Sequence, residues 1–493
     1  MNTNESISRR HFLAASGTIL AGSALLNPLS AINAKVISST PRAAKLKLAM
    51  VGTGSRGTSM WGRDLMRRYA DKIEFVGLCD MNPGRVEAGK EIINTNCRTF
   101  SDLQNPMSAF EKMMKDTKPD LVIVTTVDSA HKDYIVRGME LGANILTEKP
   151  MCTDEIQIQQ ILDAEKKTGK KTLVTHNARY SALLARLWEL LRAGEIGQLQ
   201  SVTLDWYLDT SHGADYFRRW HRLMEKSGSL LLHKSSHHFD MMNWLIDSDP
   251  ISVYASGALD HYGRNGTLRA ENCRTCPHTA QCKFYWQIER PVMSSEMKDA
   301  AGVSRQAAQP ENPYRKLYLN CEKYDGYLRD GCVFKNDINI FDKTAATIRY
   351  ANGVNLAYSF TAYAPYEGYS AAFNGTKGRV TLVSDANPAL PRKEQGEFIL
   401  HKQFSKFETI QVPRATGTHG GSDDLLRDQI FIPSTPDPYK QCAGTRDGAF
   451  TCLIGIAARK SIASGLPVQI AGLTSLVPQT QKEYQRDILK INN

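Results

Sequence analysis

A glycine-containing turn after a short apolar run is the feature that most constrains how this chain can fold. The run covers residues 46–51, and the turn reads Gly52-Thr53-Gly54-Ser55-Arg56-Gly57 ahead of a stretch with helical spacing. In such a turn Gly52 permits a tight bend, Gly54 lets the backbone approach a phosphate, and Gly57 lets helix and strand pack closely. The start of the helix offers unpaired N–H groups to a pyrophosphate. The sequence therefore predicts a dinucleotide-binding turn at this position.

The turn belongs to a longer alternation of apolar runs and amphipathic stretches. This alternation predicts a parallel sheet covered on both faces, which is the Rossmann pattern. Ligands of such sheets bind beyond the carboxyl ends of the strands. The predicted strands are 46–51, 73–79, 121–125, 144–146 and 172–174, and the predicted helices are 57–69, 83–93, 107–115, 131–141 and 154–168. We assign this α/β domain, with its doubly wound parallel sheet, to residues 35–175.

Beyond residue 175 the pattern changes to short strand-like runs with few helices between them. Asn352-Gly353 and Asn374-Gly375 suit hairpin turns, and 448–464 returns to helical spacing. We predict an α+β domain with an antiparallel sheet over 176–470 and a tail over 471–493. Residues 262–332 are rich in charge, proline and cysteine, so we expect an insertion with little regular structure there. The predicted strands are 199–208, 251–256, 344–350, 354–360, 371–374, 378–382 and 398–401.

The amino terminus resembles an export signal. Ser8-Arg9-Arg10-His11-Phe12-Leu13 is a twin-arginine start, and the apolar stretch 14–26 is too short and too often interrupted by glycine for a membrane span. We expect a signal peptide over residues 1–34, a periplasmic location and no stable membrane anchor. Because this route exports folded proteins, we expect the chain to acquire its dinucleotide before export and to hold it tightly.

The charge of the chain does not indicate a nucleic-acid partner. Its formal net charge is +10, but no basic run is longer than three residues. Scattered positive charge is typical of a solvated basic surface rather than of a nucleic-acid site.

Half of the ten cysteines lie in the predicted insertion. They are Cys273, Cys276, Cys282, Cys321 and Cys332. The first two form a C-x-x-C pair, and four thiolates, or three with His278, suit a structural Zn²⁺ site. An oxidising compartment equally favours disulfides that tie the loop together. Free thiols are the third alternative, and the sequence leaves all three open.

A second motif lies at the end of the fourth predicted strand. Glu148-Lys149-Pro150 follows the run 144–146, so Lys149 stands at the sheet edge where the nicotinamide of a dinucleotide would lie. Asp80 ends the second strand, and a carboxylate there accepts hydrogen bonds from the ribose 2′-OH. We therefore predict NAD rather than NADP, although Arg56 and Arg85 are near enough in sequence to weaken that preference. Together the turn and the lysine predict hydride transfer.

Over residues 45–470 the chain resembles the Gfo/Idh/MocA oxidoreductases, the family of glucose–fructose oxidoreductase and inositol dehydrogenase. The marks include Glu148-Lys149-Pro150, Asn177-Ala178-Arg179-Tyr180, and Thr125-Thr126-Val127-Asp128-Ser129-Ala130-His131, where the family often shows T-P-N-x-x-H. The resemblance implies a Rossmann domain followed by a domain with an open, mainly antiparallel sheet, through which relatives form homo-oligomers. It also implies that the cofactor is bound by Thr125, Thr126, Asp128, His131, Glu148 and Lys149.

The family also implies catalytic roles. Its E-K-P lysine lies beside the nicotinamide and the reacting hydroxyl, and the proline after it is often cis. Carried over, Lys149 hydrogen-bonds the hydroxyl and helps to remove its proton. The segment His233-Lys234-Ser235-Ser236-His237-His238-Phe239-Asp240 places His237 at the family's histidine, as a general acid or base.

His233 departs from that pattern, because relatives carry an aspartate at its place. We expect it to orient the sugar, to replace the acid, or to bind a metal with His237, which shares its helical face at i, i+4 spacing. Lys234 is expected to add a second positive charge near an oxyanion.

The residues before this segment form an aromatic-rich approach. Flat rings suit the C–H faces of sugars, and the alternative is that these side chains pack in the core. They are Trp206, Tyr207, Tyr216, Phe217, Trp220 and His221.

A weaker resemblance is to the NAD-dependent α-N-acetylgalactosaminidases of glycoside hydrolase family 109. Residues 417–423 resemble an H-G-G-x-D stretch of those enzymes, and Tyr180 stands where they carry a tyrosine that takes a proton. This implies a catalytic Tyr180 and a substrate pocket with Arg179 and His419. The E-V-P-like sequence of those hydrolases is absent, since Lys149 keeps the dehydrogenase lysine.

These features predict an exported oxidoreductase that transfers hydride between tightly bound NAD(H) and a secondary alcohol of a sugar or glycoside, at C3. One alternative is an NAD-dependent glycosidase that oxidises its substrate transiently and cleaves by elimination. The other is a non-catalytic sugar-binding protein on a Rossmann scaffold.

Overall fold

In the computed structural model, the described residues are 44–288, 313–387, 389, 395–413 and 416–482. The predicted signal peptide, part of the predicted insertion and most of the predicted tail lie outside these ranges. No helix among the described residues is both long enough and apolar enough to span a lipid bilayer.

The first part of the chain forms a parallel sheet of six described strands in the order β3-β2-β1-β4-β5-β6. This order is that of a doubly wound dinucleotide-binding domain. Most of its strand residues are buried, as expected for a sheet covered on both faces. The strands are β1 Leu46–Val51, β2 Ile73–Cys79, β3 Arg98–Phe100, β4 Leu121–Val124, β5 Asn144–Thr147 and β6 Thr172–Val174.

Local sequence signals set the helices between these strands. The Asn82 side chain accepts a hydrogen bond from Arg85 N and Pro83 follows, which begins the second helix; Asp154 begins the fifth, and Gly169 in a left-handed conformation ends it. The first helix starts as a π-helix over Gly57–Arg63. The α-helices are α1 Asp64–Tyr69, α2 Pro83–Ile93, α3 Pro106–Thr117, α4 His131–Glu140 and α5 Glu155–Thr168.

The second part of the chain is built on a mixed sheet of nine described strands in the order β14-β13-β12-β11-β7-β10-β9-β8-β15. Only the β7–β10 pair is parallel among them. The strands are β7 Leu199–Asp209, β8 Pro250–Ala258, β9 Lys343–Tyr350, β10 Asn355–Ala364, β11 Gly368–Gly375, β12 Gly378–Asp385, β13 Gln395–Lys402, β14 Phe407–Pro413 and β15 Val468–Gln469.

Helices cover one face of this sheet. Residues of β9 alternate strictly between exposed and buried, so its other face is open to solvent. The helices are α6 Ala182–Arg192, α7 Thr210–Arg218, α8 Met224–Ser227, α9 Leu230–His233, α10 Ser235–Ile246, α11 Pro313–Leu317, α12 Glu322–Asp325, α13 Ser422–Phe431 and α14 Thr445–Ser464. The predicted fold class, a Rossmann domain followed by a mainly antiparallel sheet, is confirmed.

Two apolar cores join the halves. One continues from the sheet of the Rossmann domain into the large sheet and its helices. The other lies on the opposite face of β1 and β4, where Leu426, Ile430 and Phe431 of α13 complete it. A helix from the end of the chain therefore packs on the first domain, which fixes the two parts against each other.

The described part of the insertion packs on the Rossmann domain. We call residues 313–325, with α11 and α12, the cover segment. Its Leu317 and Cys321 carbonyls accept hydrogen bonds from Arg85 and Asn82 at the start of α2, over 3.2 and 3.0 Å. Gly84 leaves room for it, because a Cβ there would lie 2.5 Å from the Tyr324 ring. This segment contains two short helices, and the other described residues of the predicted insertion have little regular structure.

Candidate active site

The predicted cofactor residues meet at one edge of the parallel sheet. Val51, Val124 and Thr147 are register partners at the ends of β1, β4 and β5, and Cys79 pairs with Val51 at the end of β2. The glycine turn, Thr125, Glu148 and Asp80 directly follow these four residues. Their side chains therefore open into the same crevice, where a dinucleotide binds in such sheets.

The glycine turn is tight enough to require its glycines. Gly52 has a φ of 91°, and a Cβ on it would lie 2.6 Å from the Thr125 carbonyl carbon. A Cβ on Gly57 would lie 2.5 Å from the Gly52 oxygen, and Thr125 Oγ1 donates a 2.5 Å hydrogen bond to that oxygen. The close approach of turn and β4 places the start of the helix at this edge of the sheet. This geometry fits a dinucleotide pyrophosphate.

Tyr318 of the cover segment lies over this turn. Its hydroxyl accepts a 3.0 Å hydrogen bond from Ser55 N–H, one of the groups that a pyrophosphate would use. The same hydroxyl lies 3.5 Å from the place of a Cβ on Gly54. Sequence reasoning missed Tyr318, since 263 residues separate it from Ser55.

Asp80 holds the loop at the adenosine end of the crevice. Its carboxylate accepts hydrogen bonds from Thr53 N and Asn82 N, over 2.8 and 2.9 Å, and from Arg85 over 3.3 Å. Arg85 also donates to Asp325 over 2.8 Å. Because Asp325 and Asp80 already hold this arginine, it is poorly placed to receive the 2′-phosphate of NADP.

Glu148 stabilises the nicotinamide end of the crevice through its hydrogen bonds. Its Oε1 accepts hydrogen bonds from Arg56 Nε and Trp61 Nε1, each 2.7 Å long. Burial opposes ionisation of this carboxyl, but Arg56 and Trp61 outweigh it and lower its pKa. Arg56 is thus bound to Glu148, so the second arginine that could have favoured NADP also faces a carboxylate. Trp61 is a further contact that the sequence did not indicate.

Lys149 presents an ammonium group beside the histidine segment. The Lys149–Pro150 peptide bond is cis, as predicted. The lysine Nζ donates a 2.7 Å hydrogen bond to the backbone oxygen of His233, 84 residues away in the sequence. Burial lowers the pKa of Lys149 to about 8, against the charges of Glu148 and Asp128. A lysine of this kind can exchange a proton near neutral pH.

His131 fixes the backbone of the two loops around this lysine. Its Nδ1 lies 2.8 Å from the Pro150 oxygen and its Nε2 lies 3.1 Å from the Thr126 oxygen. The ring is buried, and burial lowers its pKa. His131 therefore supports the cofactor crevice from within the protein rather than from the surface that a ligand would touch.

Asp128 faces the histidine segment as well. Its Oδ2 lies 2.6 Å from His233 Nδ1, and the side chains are only 3% and 13% exposed. Burial raises the pKa of Asp128 against the ammonium of Lys149, whereas burial and the charge of Lys149 lower the pKa of His233. The family resemblance predicts that Asp128 binds the cofactor, and within the described ranges its side chain makes one hydrogen bond, the one to His233.

His237 and His238 differ in their surroundings. His237 Nδ1 is buried with no hydrogen-bond partner among the described residues. His238 is buried, stacks on Trp206 with ring centres 3.8 Å apart, and lies 2.8 Å from the Tyr358 hydroxyl. Lys234 Nζ lies over the Trp206 ring of this stack, 6.0 Å from its centre. His238 is thus a packing residue, and His237 is held less firmly.

Metal binding by His233 and His237 has no support in this arrangement. In the described ranges, no group of three or more histidine, cysteine, aspartate or glutamate side chains is arranged to hold an ion. The carboxylate close to His233 binds Nδ1 as a hydrogen-bond partner.

Five of the six residues of the predicted aromatic approach fall into two sets, and Tyr207 packs elsewhere, against the Tyr366 ring with centres 5.5 Å apart. Tyr216, Trp220 and His221 surround the His233 ring, with ring centres 5.4, 5.7 and 4.1 Å away. Trp206 is stacked between His238 and Tyr369, and Phe217 is fully buried against Tyr262. Only the first set lies at the candidate site, and the second is core packing.

Two predicted site residues are not brought to this site. Arg179 has no exposed surface and donates hydrogen bonds to Asp240 over 2.6 and 2.7 Å and to Asp447 over 3.0 Å. Tyr180 is buried in the second core and donates to Gln429 over 2.7 Å. Burial raises the pKa of this tyrosine well above its ordinary value. In this structure both side chains make structural contacts and have no surface for a substrate, so their roles at the site stay predictions.

His419 forms a separate pair near the start of α13. Its Nδ1 lies 2.7 Å from Asp423, whose other oxygen accepts a 2.7 Å hydrogen bond from Asn177. Burial opposes ionisation of Asp423, but the hydrogen bond from His419 and the charge of Arg56 lower its pKa. His419 is 40% exposed, so a ligand can reach it.

None of the ten cysteines forms a disulfide. Four of the insertion, Cys273, Cys276, Cys282 and Cys332, line one small cavity of about 10 Å³ together with Arg218. Cys321 belongs to the cover segment and packs near Gly84 instead. The five cysteines therefore do not form one cluster. Neither bridging nor metal coordination is seen in the described residues, so the state of these thiols stays a prediction.

Sequence comparison assigns both halves of this arrangement to one family. Residues 46–176 match the model of the NAD-binding Rossmann fold of the Gfo/Idh/MocA oxidoreductases, and residues 188–470 match that of their C-terminal α/β domain. The chain belongs to the Gfo/Idh/MocA oxidoreductase family. Its Rossmann domain therefore binds NAD, as predicted.

Individual Gfo/Idh/MocA relatives support the same assignment. The chain is 34% identical over 435 residues to the putative oxidoreductase YteT of Bacillus subtilis, covering 85% of this chain and 97% of that protein. It is 26% identical to inositol 2-dehydrogenase of Salmonella typhimurium over 42% of this chain and 57% of that enzyme. Glycosyl hydrolase family 109 protein 2 of Akkermansia muciniphila is 26% identical over 32% of this chain and 33% of that protein.

A solved structure shows the same fold. Levoglucosan dehydrogenase, in complex with NADH and levoglucosan, superposes with a TM-score of 0.59 at 17% identity, covering 87% of this chain and all of that one. At this identity the similarity concerns the fold of the Gfo/Idh/MocA family and does not extend to a substrate.

Proposed function

We propose that this protein is an NAD-dependent dehydrogenase for a secondary alcohol of a sugar or glycoside. The observation that carries the proposal is the position of Lys149, whose ammonium group lies at the nicotinamide edge of the sheet and contacts His233. A hydroxyl placed there meets a proton-exchanging lysine and two histidines. The bound dinucleotide supplies the hydride acceptor.

The side chains around Lys149 suit a carbohydrate. Trp220, which is partly exposed, lies next to His233 and stacks on His221 with one face, so its free face and edge can pack against the C–H surface of a pyranose. Inositol 2-dehydrogenase and levoglucosan dehydrogenase, which share the family or the fold, are named for cyclic polyols. These two similarities support the carbohydrate class, and they do not select a sugar.

We place the oxidised carbon at C3. A ketone at C3 acidifies the C2–H, which is the proton whose loss would expel a group from C1 in the related glycosidases. This chain retains Lys149, whereas the related glycosidases carry the E-V-P-like sequence. We therefore expect the reaction here to end at the ketone. A set of deoxy glycosides that lack one hydroxyl each tests this position, since only the 3-deoxy compound should fail to reduce the bound nucleotide.

We further propose export by the twin-arginine route with NAD already bound. The Arg9-Arg10 pair and the apolar stretch after it support this route. The cover segment supports retention of the nucleotide, because Tyr318 lies on the pyrophosphate turn and Asp325 on Arg85. Replacing the arginine pair by two lysines should keep the protein in the cytoplasm, and cell fractionation measures that.

The activity is tested on the purified protein without added nucleotide. Mass spectrometry of the material released on denaturation should show NAD(H) at about one molecule per chain. A panel of glycosides is then added, and reduction is followed by the fluorescence of the reduced nicotinamide. Release of no nucleotide, or a panel without any response, would argue for the non-catalytic alternative.

A second candidate function is glycoside cleavage by transient oxidation. It is favoured by the match to glycosyl hydrolase family 109 and by the His419–Asp423 pair in the similar stretch. An aryl glycoside with a chromogenic leaving group separates the two functions. Continuous colour release without an external acceptor supports cleavage, whereas a single equivalent of reduced nucleotide without colour supports the dehydrogenase.

A further inference from the structure

Two of the residues that depart from the family's motifs contact each other. Asp128 stands where the T-P-N-x-x-H motif has asparagine, and His233 stands where relatives carry the aspartate of the second catalytic segment. The sequence separates them by 105 residues, yet His233 Nδ1 lies 2.6 Å from Asp128 Oδ2. The segment of His233 thus lacks the family's carboxylate, and Asp128 supplies a carboxylate from the facing segment.

This contact orients the His233 ring. With Nδ1 bound to a carboxylate that is 3% exposed, the ring cannot rotate without breaking a buried hydrogen bond. Nε2, the opposite ring nitrogen, makes no hydrogen bond to any described residue. Lys149 Nζ is bound to the backbone oxygen of the same residue, so the ammonium is held at the segment that carries this ring.

His237 lacks such support. Its Nδ1 is buried and has no hydrogen-bond partner in the part of the chain that the structure describes. The neighbouring residue of a catalytic histidine normally selects which ring nitrogen carries the proton. Nothing of that kind is present for His237, whereas Asp128 supplies it for His233.

We propose that His233, oriented by Asp128, is the base that takes the proton of the substrate hydroxyl. This rests on the proposed dehydrogenase function and assigns its proton acceptor. Lys149 donates a hydrogen bond to the reacting oxygen, and Asp128 is a positioning residue that balances the charge formed on the imidazole. His237, at the place of the family's histidine, then contacts the substrate without being the main base.

The proposed oxidation transfers a proton and a hydride from the substrate. The O–H bond of the substrate hydroxyl breaks and its proton goes to Nε2 of His233, while the electron pair of that bond forms the C=O double bond. The C–H bond breaks with its electron pair, and this hydride reduces the oxidised nicotinamide. The products are a ketone, the reduced nucleotide and an imidazolium paired with the Asp128 carboxylate, and reduction of a ketone reverses each transfer.

Several charged groups face this pair and set its titration. Burial lowers the pKa of His233, and the cationic side chains around it lower it further, so the ring is neutral and able to accept a proton at neutral pH. Burial raises the pKa of Asp128, which the Lys149 ammonium opposes. The titratable or charged neighbours of the pair are His131, Glu148, Lys149, Tyr216, Arg219, His221, Lys234 and Cys452.

The first test reads the resting protein by nitrogen NMR after labelling of histidine with ¹⁵N, with His233→Gln used to assign the signal. The base requires a proton on Nδ1 and none on Nε2. In Asp128→Asn the proton should move to Nε2, as an amide can donate to Nδ1. A wild-type ring with its proton on Nε2, or a pattern unchanged in Asp128→Asn, would overturn the proposal.

The second test compares turnover in protein that has kept its nucleotide and its circular dichroism spectrum. His233→Gln and Asp128→Asn should each lower the rate of nucleotide reduction by at least about 10²-fold, and His233→Gln should also remove the acidic limb of the pH profile. His237→Gln should lower the rate by a smaller factor and should keep the acidic limb of the pH profile. An acidic limb that disappears in His237→Gln and persists in His233→Gln would assign the base to His237.

The two tests separate this proposal from the proposed function. The NMR measurement needs no substrate, so it decides whether Asp128 fixes the ring even if no sugar reduces the nucleotide. Failure of every sugar with wild-type protein would reject the dehydrogenase and with it the proton transfer. If a sugar reduces the nucleotide at the same rate in wild-type protein and in His233→Gln, the dehydrogenase function stands and His233 is not its base.

Discussion

The cofactor crevice has two ends that are built in different ways. At the glycine turn, the geometry comes from backbone: Gly52 has no room for a Cβ, and Thr125 closes on the turn oxygen. At the lysine end, distant segments converge on His233, whose backbone oxygen binds Lys149 and whose ring binds Asp128. The first end depends on backbone geometry, so few side-chain substitutions can alter it. The second end can change its chemistry through a few substitutions and leave binding intact.

The largest expected effect separates the two ends. Lys149→Ala should lower nucleotide reduction by about 10³-fold, because the reacting oxygen loses its hydrogen-bond donor. The nucleotide content of the purified protein should stay unchanged, since the glycine turn is untouched. Lys226→Ala, at an exposed lysine of α8, is the matched control. Equal turnover in both variants would remove Lys149 from the chemistry.

A substitution in the glycine turn changes the backbone end of the crevice. Gly52→Ala places a methyl group 2.6 Å from the Thr125 backbone in a left-handed conformation, so we expect loss of bound nucleotide and of at least about 1–3 kcal/mol of stability. Gly142→Ala is a matched control, because Gly142 has a φ of 98° but nothing within 4 Å of its Cβ position. Nucleotide content and the midpoint of urea unfolding measure the difference. A Gly52→Ala protein that keeps its nucleotide would contradict the described turn.

The pH profile sharpens the picture of the lysine end. Burial lowers the pKa of Lys149 to about 8, so its ammonium is present below that pH and is lost above it. The rate of alcohol oxidation should therefore fall as the pH rises through about 8. Lys149→Arg should be slower but should lack this alkaline limb, since guanidinium stays charged. An alkaline limb that persists in the arginine variant would belong to another group.

The smallest effect concerns the cover segment. Tyr318→Phe removes one hydrogen bond at the pyrophosphate turn, so the nucleotide should dissociate up to about tenfold faster. Tyr324→Phe, at a tyrosine that is 40% exposed, should leave the rate unchanged. Stopped-flow release into excess unlabelled nucleotide measures both. Slower release from Tyr318→Phe would mean that the hydroxyl competes with the phosphate for Ser55.

Much of the first end could be predicted from the sequence, because local rules determine it. The glycine spacing predicts the turn, Asn82-Pro83 begins α2 at the residue expected, and the run 144–146 places Lys149 at the sheet edge. The short strands β3, β14 and β15 were not predicted, since two to seven residues give little periodicity. The helices α6, α7, α10 and α13 of the second domain were not predicted either, because few helices were expected there.

The second end could be predicted only in part. The motifs indicated Lys149, His233 and Asp128 separately, but pairing across 105 residues depends on tertiary contacts that no local pattern reports. Position in a motif also suggested roles for Arg179 and Tyr180, and their complete burial excludes a surface for substrate. The carboxylates that surround Arg179 come from α10 and α14, whose packing had to be seen.

The cover segment has a kinetic consequence. It is attached to α2 by a buried ion pair and two backbone acceptors, and one of its side chains lies on the turn itself. A nucleotide held beneath such a segment would behave as a prosthetic group, so the reduced form must be reoxidised before another alcohol can react. Two substrates would then take turns in a single crevice, and steady-state rates should give the parallel double-reciprocal lines of a ping-pong mechanism.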